Sequence, residues 1–396
     1  MSRRVLIGVT HLLGIGHLVR ARHLARALAQ AGYEVTLASG GMPDGKAQSG
    51  YRLVQLPPVR AEGTDFRNLL DAAGAAVTPE RLAARREGLA ALASEIRPDI
   101  VITEHFPFGR RQLAAEFLAL IEAARAADPR ALVLASIRDV LVAPQRAERL
   151  AETAQRVAGL FDGVLVHGDR NFLPLEASWP VTPAIATKLI YTGYLAQPSS
   201  RAQRSDPGIS APDAPGLLRC ARNGGEGEIL VSGGGSAAAL PLFEAALAAA
   251  HLLPHRRFHL LVGQGVTEAR FESLRRTASG NARVERARPD FPALLHACAL
   301  SISQAGYNTV LDLVQARRPA LLVPFDEGNE TEQALRAAAL ERAGLARISP
   351  RGAGPQALAT IIEAGLAQAQ PAPLAVDLDG AAGVVSAVAR LLTGRA

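Results

Sequence analysis

The 396-residue sequence predicts an α/β protein made of two consecutive doubly wound parallel-sheet domains, and three features carry that prediction. Short apolar runs rich in β-branched residues alternate with Ala- and Leu-rich stretches of helical periodicity. The series runs through twice, on either side of one segment dense in Pro, Gly, Ser and Asp. In both halves a glycine-bearing turn follows directly on a strand.

RRVLIGVT (3 to 10) is the first expected strand. Leu18, Ala21, Leu24, Ala25 and Leu28 then form one helical stripe that closes at Gly32, and YEVTLAS (33 to 39) returns to strand, completing a βαβ unit. DIVIT (99 to 103), ALVLAS (131 to 136), DGVLVHG (162 to 168) and LIYTG (189 to 193) repeat the theme, giving a first domain over 1–196. Residues 197–227 lack sustained periodicity and read as linker and loop. EILVSGG (228 to 234), FHLLVGQG (258 to 265), a strand near Val284, LSIS (300 to 303) and ALLVPF (320 to 325) give a second domain over 228–375. GAAGVVSAVARLL, within 376–396, is expected to be a closing helix able to pack back on the first domain. Two such halves make a cleft between domains the expected ligand site.

Composition narrows the function. Nearly half the residues are hydrophobic and a fifth are charged, as in an ordered globular chain. The net charge of +6 comes almost wholly from arginine, lysine standing only at positions 46 and 188. Those arginines are scattered among acids and aromatics are sparse, so the clustered charge and stacking rings of a nucleic-acid binder are missing. Cys220 and Cys298 form no CxxC and no metal-ligand spacing, which suits a reducing cytoplasm. The opening MSRRVLIGVTHLLGIGH starts like a secretory leader, yet His and Arg interrupt its apolar stretch and no small-residue cleavage site follows. No apolar run reaches the ~18 residues of a membrane-spanning helix. A cytoplasmic protein in peripheral contact with the inner membrane face is the expectation.

Three segments are candidates for chemistry. In HLLGIGHLVRA (11 to 21), Gly14 and Gly16 tighten the turn after the first strand and set His17 at the start of the following helix, facing the expected cleft. In VSGGGSAAALPLF (231 to 243), Gly233, Gly234 and Gly235 between Ser232 and Ser236 open a helix whose free N–H groups suit an anion. Neither loop completes GxGxxG or a GK[ST] phosphate loop. In SQAGYNTVLDL (303 to 313), Gly306 opens a helix and Asp312 follows six residues on, where a carboxylate can accept from a sugar diol; Glu332 and Gln333 then begin another helix.

That third segment, with RRPALLVPF and ETEQ after it, resembles the nucleotide-sugar-binding half of the MurG-like glycosyltransferases, and the GGGS loop and linker extend the likeness over nearly the whole chain. The resemblance implies two Rossmann-like domains in the GT-B arrangement and a nucleotide-sugar donor, uridine-linked. It implies a donor set of Gly14, Gly16, Ser232, Gly233, Gly234, Gly235, Ser236, Gln304, Ala305, Gly306, Asn308, Thr309, Asp312, Glu332 and Gln333. Within that set Gly306 would lie by the diphosphate, Asp312 would hold the ribose diol, and Glu332 with Gln333 would meet the sugar. GIGH is leaner than the family's glycine-rich HxGGxGGH loop, and no arginine follows TGYL. GIGHLVRARHLARAL also looks like the opening of nucleotide-sugar hydrolases of this fold.

Inverting transfer of a hexose needs a base on the acceptor hydroxyl. His17 is the candidate, with His11 and His105 as rivals, and Glu104, ending its strand in DIVITEHFPFG, is the expected partner of the imidazolium. No metal cluster and no cofactor are expected; helix ends and backbone N–H groups would meet the leaving diphosphate. The acceptor is not specified by any motif. Residues 57–88 read as an excursion over the cleft, and FPFGRR (106 to 111) pairs two aromatics with two arginines, suited either to a lipid-linked acceptor at a membrane surface or to packing on the core. A hydrolase, or a nucleotide-sugar-binding protein without turnover, would share these features.

Overall fold

The computed structural model describes residues 2–45, 49–62, 65–195, 227–234, 237–325, 331–350 and 352–394. The chain divides into two compact units, Met1–Leu195 with Asp377–Ala396, and Ala196–Val376.

Unit 1 runs β1 (Arg4–Val9), α1 (Gly16–Gln30), β2 (Glu34–Ser39), β3 (Arg52–Gln55), β4 (Arg60–Glu62), β5 (Asp65–Leu70), α2 (Pro79–Ile96), β6 (Ile100–Glu104), α3 (Ala114–Ala127), β7 (Leu132–Arg138), α4 (Ala147–Leu160), β8 (Gly163–His167), α5 (Pro183–Ala186) and β9 (Leu189–Tyr191). Its seven-stranded sheet has the order β3-β2-β1-β6-β7-β8-β9, every pairing parallel, while β4 and β5 form a separate antiparallel pair. The continuous apolar run of β1 is what a strand covered on both faces requires. Val5, Ile7 and Val9 join one core with α1, and Leu6 points the other way to Leu89 and Leu92 of α2 and Leu120 of α3. At β1 and β6 the strand order reverses, which is where doubly wound sheets place ligands beyond the strand ends.

Unit 2 runs β10 (Ile229–Ser232), α6 (Leu240–Leu252), β11 (Phe258–Val262), α7 (Glu268–Thr277), β12 (Ala282–Arg286), α8 (Phe291–Ala297), β13 (Leu300–Ser303), α9 (Tyr307–Ala316), β14 (Ala320–Leu322), α10 (Glu332–Arg342), β15 (Arg347–Ile348) and α11 (Pro355–Leu366). Its parallel sheet has the order β12-β11-β10-β13-β14-β15, so the reversal falls between β10 and β13. The loops leaving those two strands are the two glycine loops read from the sequence.

The closing helix α12 (Gly380–Thr393) belongs to unit 1, where Val384, Ala387 and Val388 join the α1 core. Its glycines permit close docking. A Cβ at Gly383 would run into the Thr192 carbonyl, and Gly380 lies against the Tyr194 backbone, to whose carbonyl its N–H donates at 3.0 Å. The linker of the sequence reading, 197–227, lies outside the described residues except for Gly227.

One expectation is corrected and one open alternative is decided. Residues 79–88 are not an excursion but the first half of α2, which starts from a Thr78 cap with Pro79 in its first turn and packs along α3. Phe106 and Phe108 are core residues: the first stacks on Phe117 at 5.1 Å between ring centroids and the second meets the edge of Trp179 at 5.1 Å. Burial rules them out as a membrane-facing patch, because the apolar surface they would offer is already covered inside unit 1.

Arg85 of α2, fully buried, bonds to four other segments of unit 1. Its Nε and Nη2 each donate to Glu116 of α3 at 2.8 Å, Nη2 also reaches Thr10 Oγ1 at 3.0 Å, and Nη1 donates to the carbonyls of Gly40, at 2.8 Å, and Pro57. Removing one partner of such a pair leaves the other charge buried and uncompensated. Arg85→Leu is expected to destabilise unit 1 by about 3–5 kcal/mol, measured as a lower urea midpoint of Trp179 fluorescence.

Candidate active site

α1 begins one residue after Ile15, and no side chain caps it. Gly14 and Gly16 have no protein atom within 4 Å of where a Cβ would stand, so the turn is open above both. His17 therefore sits in the first helical turn with 17% of its side chain exposed. Leu13 and Ile15, exposed by 47% and 41%, flank it on the loop.

Glu104, the last residue of β6, is 1% exposed and accepts from several donors. His17 Nδ1 lies 2.9 Å from Oε1, Arg20 Nε donates to Oε1 at 3.0 Å, Arg20 Nη2 also bonds Oε1, and Ser136 Oγ donates to Oε2 at 2.5 Å. Burial alone would raise this carboxyl; the Arg20 charge and the His17 and Arg20 hydrogen bonds override it and hold the group well below the usual range. Because Oε1 is an anion, Nδ1 at 2.9 Å must carry the hydrogen, which puts the lone pair of the neutral ring on Nε2. Arg20 Nη2 also stands 2.9 Å from Nδ1, but its hydrogens have Glu104 to meet. Burial and then the Arg110 charge push His17 down to about 3, so at neutral pH the ring is uncharged.

His105 and His11, the rivals, are built in differently. His105 has φ 70°, its ring centroid is 4.9 Å from that of His17, and a Cβ at Gly109 would strike it. Burial holds it well below the ordinary value, and its Nδ1 has no hydrogen-bond partner among the described residues. His11 is 4% exposed, and a Cβ at Gly41 would meet its ring, so it is packed rather than presented. Arg110 completes the surroundings, its Nε donating to the Thr10 carbonyl at 2.6 Å. Burial draws its guanidinium down to about 10.

The sequence named His17 and Glu104, which the structure brings together, and did not single out Arg20, Ser136 or His167, which the structure sets beside them. Arg20 lies one helical turn beyond His17, a spacing that brings two side chains to one face. His167 was legible in principle: it ends DGVLVH as Glu104 ends DIVITE, a polar residue closing an apolar strand.

In unit 2, Gly306 caps α9 with extended backbone (φ −65°, ψ 155°) and no side-chain cap, leaving the first N–H groups of the helix without one. A Cβ there would meet only Thr309 Oγ1, at 3.8 Å, so the protein's own packing does not require the glycine. Asn308 and Thr309 lie in the first turn. Asp312, half-buried, has no hydrogen-bond or ion-pair partner among the described residues, and burial raises its carboxyl to about 6. After β10, Ser232 is 9% exposed and Gly234 has φ 69° with nothing within 4 Å of a Cβ, whereas Gly233 lets Ala239 and Phe243 pack closely. Gly235 and Ser236 lie outside the described residues. Ala305 is fully buried and Gln304 turns its amide to the Ala238 carbonyl at 3.2 Å, so both offer backbone rather than side chain.

The α10 pair departs from expectation. Glu332 is 4% exposed with Arg336 Nη2 at 3.5 Å from its Oε2, and Arg336 in turn lies 5.7 Å from the Tyr307 ring centroid. A carboxylate so enclosed is not open to sugar hydroxyls, because the charge of Arg336 draws it inward. Gln333 Oε1 accepts from the Phe325 N–H at 2.9 Å, which leaves its NH2 group for a ligand. No helix among the described residues is long and apolar enough to cross a membrane, and no group of three or more His, Cys, Asp or Glu among them could hold a metal ion.

Residues 228–372 match the glycosyltransferase family 28 C-terminal domain. The matched stretch lies within unit 2. The chain is 35% identical over 178 residues to a UDP-N-acetylglucosamine–N-acetylmuramyl-(pentapeptide) pyrophosphoryl-undecaprenol N-acetylglucosamine transferase of Rhodospirillum centenum, covering 42% of this chain and 45% of the relative. To the enzyme of the same description from Rhodopseudomonas palustris it is 31% identical over 206 residues, covering 51% and 52%. The chain thus spans about half the length of these relatives. Among solved structures it resembles Acinetobacter baumannii MurG, with 17% identity, a TM-score of 0.61 and coverage of 98% and 99%, and the glycosyltransferase VinC, with 17% identity, 0.58, and 98% of each chain. The two parallel-sheet units are those of the GT-B fold, and the stretch that matches the family 28 C-terminal domain includes Gly306 and Asp312.

His17, His105 and His167 all bind a proton more weakly folded than unfolded, burial being the largest cause for each. Their contribution to stability is whole above the unfolded value near 6.5 and declines as pH falls from there toward about 3. Glu104, depressed, adds a loss of the same sign at lower pH. The slope per histidine is about 1.4 kcal/mol per pH unit at most. Trp179 is the sole tryptophan and lies in the unit 1 core, so its fluorescence in urea isolates the effect. The midpoint is expected to drop between pH 7 and pH 5; a constant or rising midpoint contradicts the neutral-histidine assignment.

Proposed function

We propose that this chain is a glycosyltransferase that moves a hexose-type sugar from a UDP-linked donor to an acceptor hydroxyl, with inversion and without a metal. The observation that carries the reading is the imidazole of His17, fixed through Nδ1 on buried Glu104 with its Nε2 lone pair left for a substrate proton. A protein that merely bound nucleotide sugar would have no use for that arrangement.

His17 Nε2 takes the proton as the acceptor oxygen attacks the anomeric carbon, and Glu104 stabilises the imidazolium. In the free protein the Arg110 and Arg20 charges oppose that proton. An anionic substrate offsets them and brings the ring toward working basicity. The donor rests on unit 2: Gly306 and the α9 N–H groups face the diphosphate, the Ser232–Gly234 turn forms a second phosphate-side loop, Asp312 accepts from the ribose diol, and the Gln333 amide meets the sugar. Helix N–H groups carry the leaving charge. The relatives' names specify a pyrophosphoryl-undecaprenol acceptor, which supports a lipid-linked acceptor here and peripheral work at a membrane face.

Incubation with UDP-N-acetylglucosamine, with and without the pyrophosphoryl-undecaprenol-linked N-acetylmuramyl pentapeptide, separates the outcomes. Acceptor-dependent UDP release supports transfer, release in water alone indicates a hydrolase, and binding without release removes the enzyme reading. His17→Ala is expected to lower kcat by about 10²- to 10⁴-fold while UDP affinity, measured by calorimetry, stays near wild type; near-normal turnover removes His17 from the mechanism.

Asp312 gives a pH signature. Raised to about 6, it is the charged form that accepts from a diol, so donor affinity should be constant above pH 7 and weaken as pH falls through about 6. Asp312→Asn should weaken the donor roughly 10- to 100-fold, the size of a hydrogen bond to a charged group, and flatten that pH dependence. An unchanged titration in the variant would exclude Asp312 from the donor site.

A further inference from the structure

Glu104 is the first member of a polar row that crosses four strands. Ser136 Oγ on β7 lies 2.5 Å from Glu104 Oε2 and 2.9 Å from His167 Nε2 at the end of β8; His167 Nδ1 lies 2.9 Å from Thr192 Oγ1, just past β9. Glu104 and Thr192 are 1% exposed, and Ser136 and His167 are fully buried. The chemistry proposed above uses only the first of them.

The directions of these hydrogen bonds follow from one charge. Arg20 keeps Glu104 ionised, so the 2.5 Å contact to Oε2 needs a hydrogen, and the only one present belongs to the Ser136 hydroxyl. Having donated there, Ser136 must accept from His167, which places the ring hydrogen on Nε2. Nδ1 is then bare, and the Thr192 hydroxyl hydrogen goes to it at 2.9 Å in preference to the more distant carbonyls of Gly193 and Val166 at 3.1 and 3.3 Å. The opposite order would leave a carboxylate and a hydroxyl oxygen 2.5 Å apart with no hydrogen between them.

We propose that Ser136 and His167 are positioning residues for the base: the directed row Thr192→His167→Ser136→Glu104 fixes the Glu104 rotamer and, through it, the tautomer of His17. Glu104 Oε1 serves His17 and Arg20, and Oε2 is held by Ser136. Without that tether only the Oε1 contacts restrain the last torsion of the carboxylate, and as it turns His17 Nδ1 is left beside Arg20 Nη2, a donor that favours the wrong tautomer. The row ends where Gly383 of α12 presses on the Thr192 carbonyl, so helix docking fixes its far end. The inference rests on the transferase reading for its consequence in turnover, and not for its geometry.

The test is nitrogen-15 imidazole spectroscopy of the full chain at pH 7, combined with turnover of UDP-N-acetylglucosamine. In the wild type, His167 should show a protonated Nε2 and a bare Nδ1, and His17 the reverse. Ser136→Ala should mix the His17 tautomers and lower kcat roughly 10- to 100-fold, the size of a hydrogen bond to a charged group, with UDP affinity and donor KM unchanged. Ser136→Thr, which keeps the hydroxyl, should restore both. His167→Gln, whose amide can still donate toward Ser136, should outperform His167→Asn, which keeps only the Nδ1 side. A protonated Nδ1 on His167, or Ser136→Ala with wild-type His17 spectra and turnover, overturns the proposal. A wild type inert toward the donor would instead remove the transferase reading, and the His17 tautomer in Ser136→Ala would then decide the row by itself.

Discussion

A carboxylate can stay ionised inside a protein only where charge and hydrogen bonds replace lost water, and Glu104 at the end of β6 is such a case. Arg20 supplies two N–H groups and the opposing charge; His17 and Ser136 supply the rest. The features of unit 1 with chemical meaning depend on that one ionised group. It decides where the hydrogen of the neutral His17 ring lies and the direction of the Ser136 and His167 bonds, while burial and the Arg110 charge keep that ring uncharged against its pull. Removing Arg20 in thought shows the dependence, since burial would then raise the Glu104 carboxyl and the hydrogen-bond directions would be undetermined.

Unit 2 works on the opposite principle, leaving groups unpaired. Gly306 caps α9 without a side chain, and Asp312 stands half-buried without a partner among the described residues. A folded protein seldom keeps a desolvated carboxyl raised to about 6 without a use for it, because the cost of burying it is not returned by any contact of its own. Glu332, by contrast, has found Arg336 and is closed off. The difference between two acids of one unit is thus a difference in neighbours.

Both units place their glycine loops at the reversal of strand order, β1/β6 in one and β10/β13 in the other. The strands that bear these loops were legible because strands covered on both faces are short and largely apolar, as in VLIGV of β1, IVI of β6 and ILV of β10, while β13 keeps Leu300 and Ile302 with the small Ser301 between them. The aromatics of FPFGRR stayed open between two readings because their sequence neighbours, two arginines, are also those of a membrane patch. Their spatial neighbours, Phe117 and Trp179, come from distant parts of the chain. Residues 79–88 misled for a related reason, their many charges hiding a helix whose buried face includes an arginine, Arg85.

The sequence by itself determined the two parallel sheets, the glycine turns that end their central strands, and the identity of His17, Glu104, Gly306 and Asp312 as candidates, since these follow from local periodicity and from what residue types can do at a strand end. Only the tertiary structure decided which groups are charged and which way protons point. Those depend on the separation of Arg20 from Glu104, of Ser136 from His167, and of Glu332 from Arg336. Electrostatic and hydrogen-bond energies vary steeply with distance and burial, and neither is written in the order of residues along a chain.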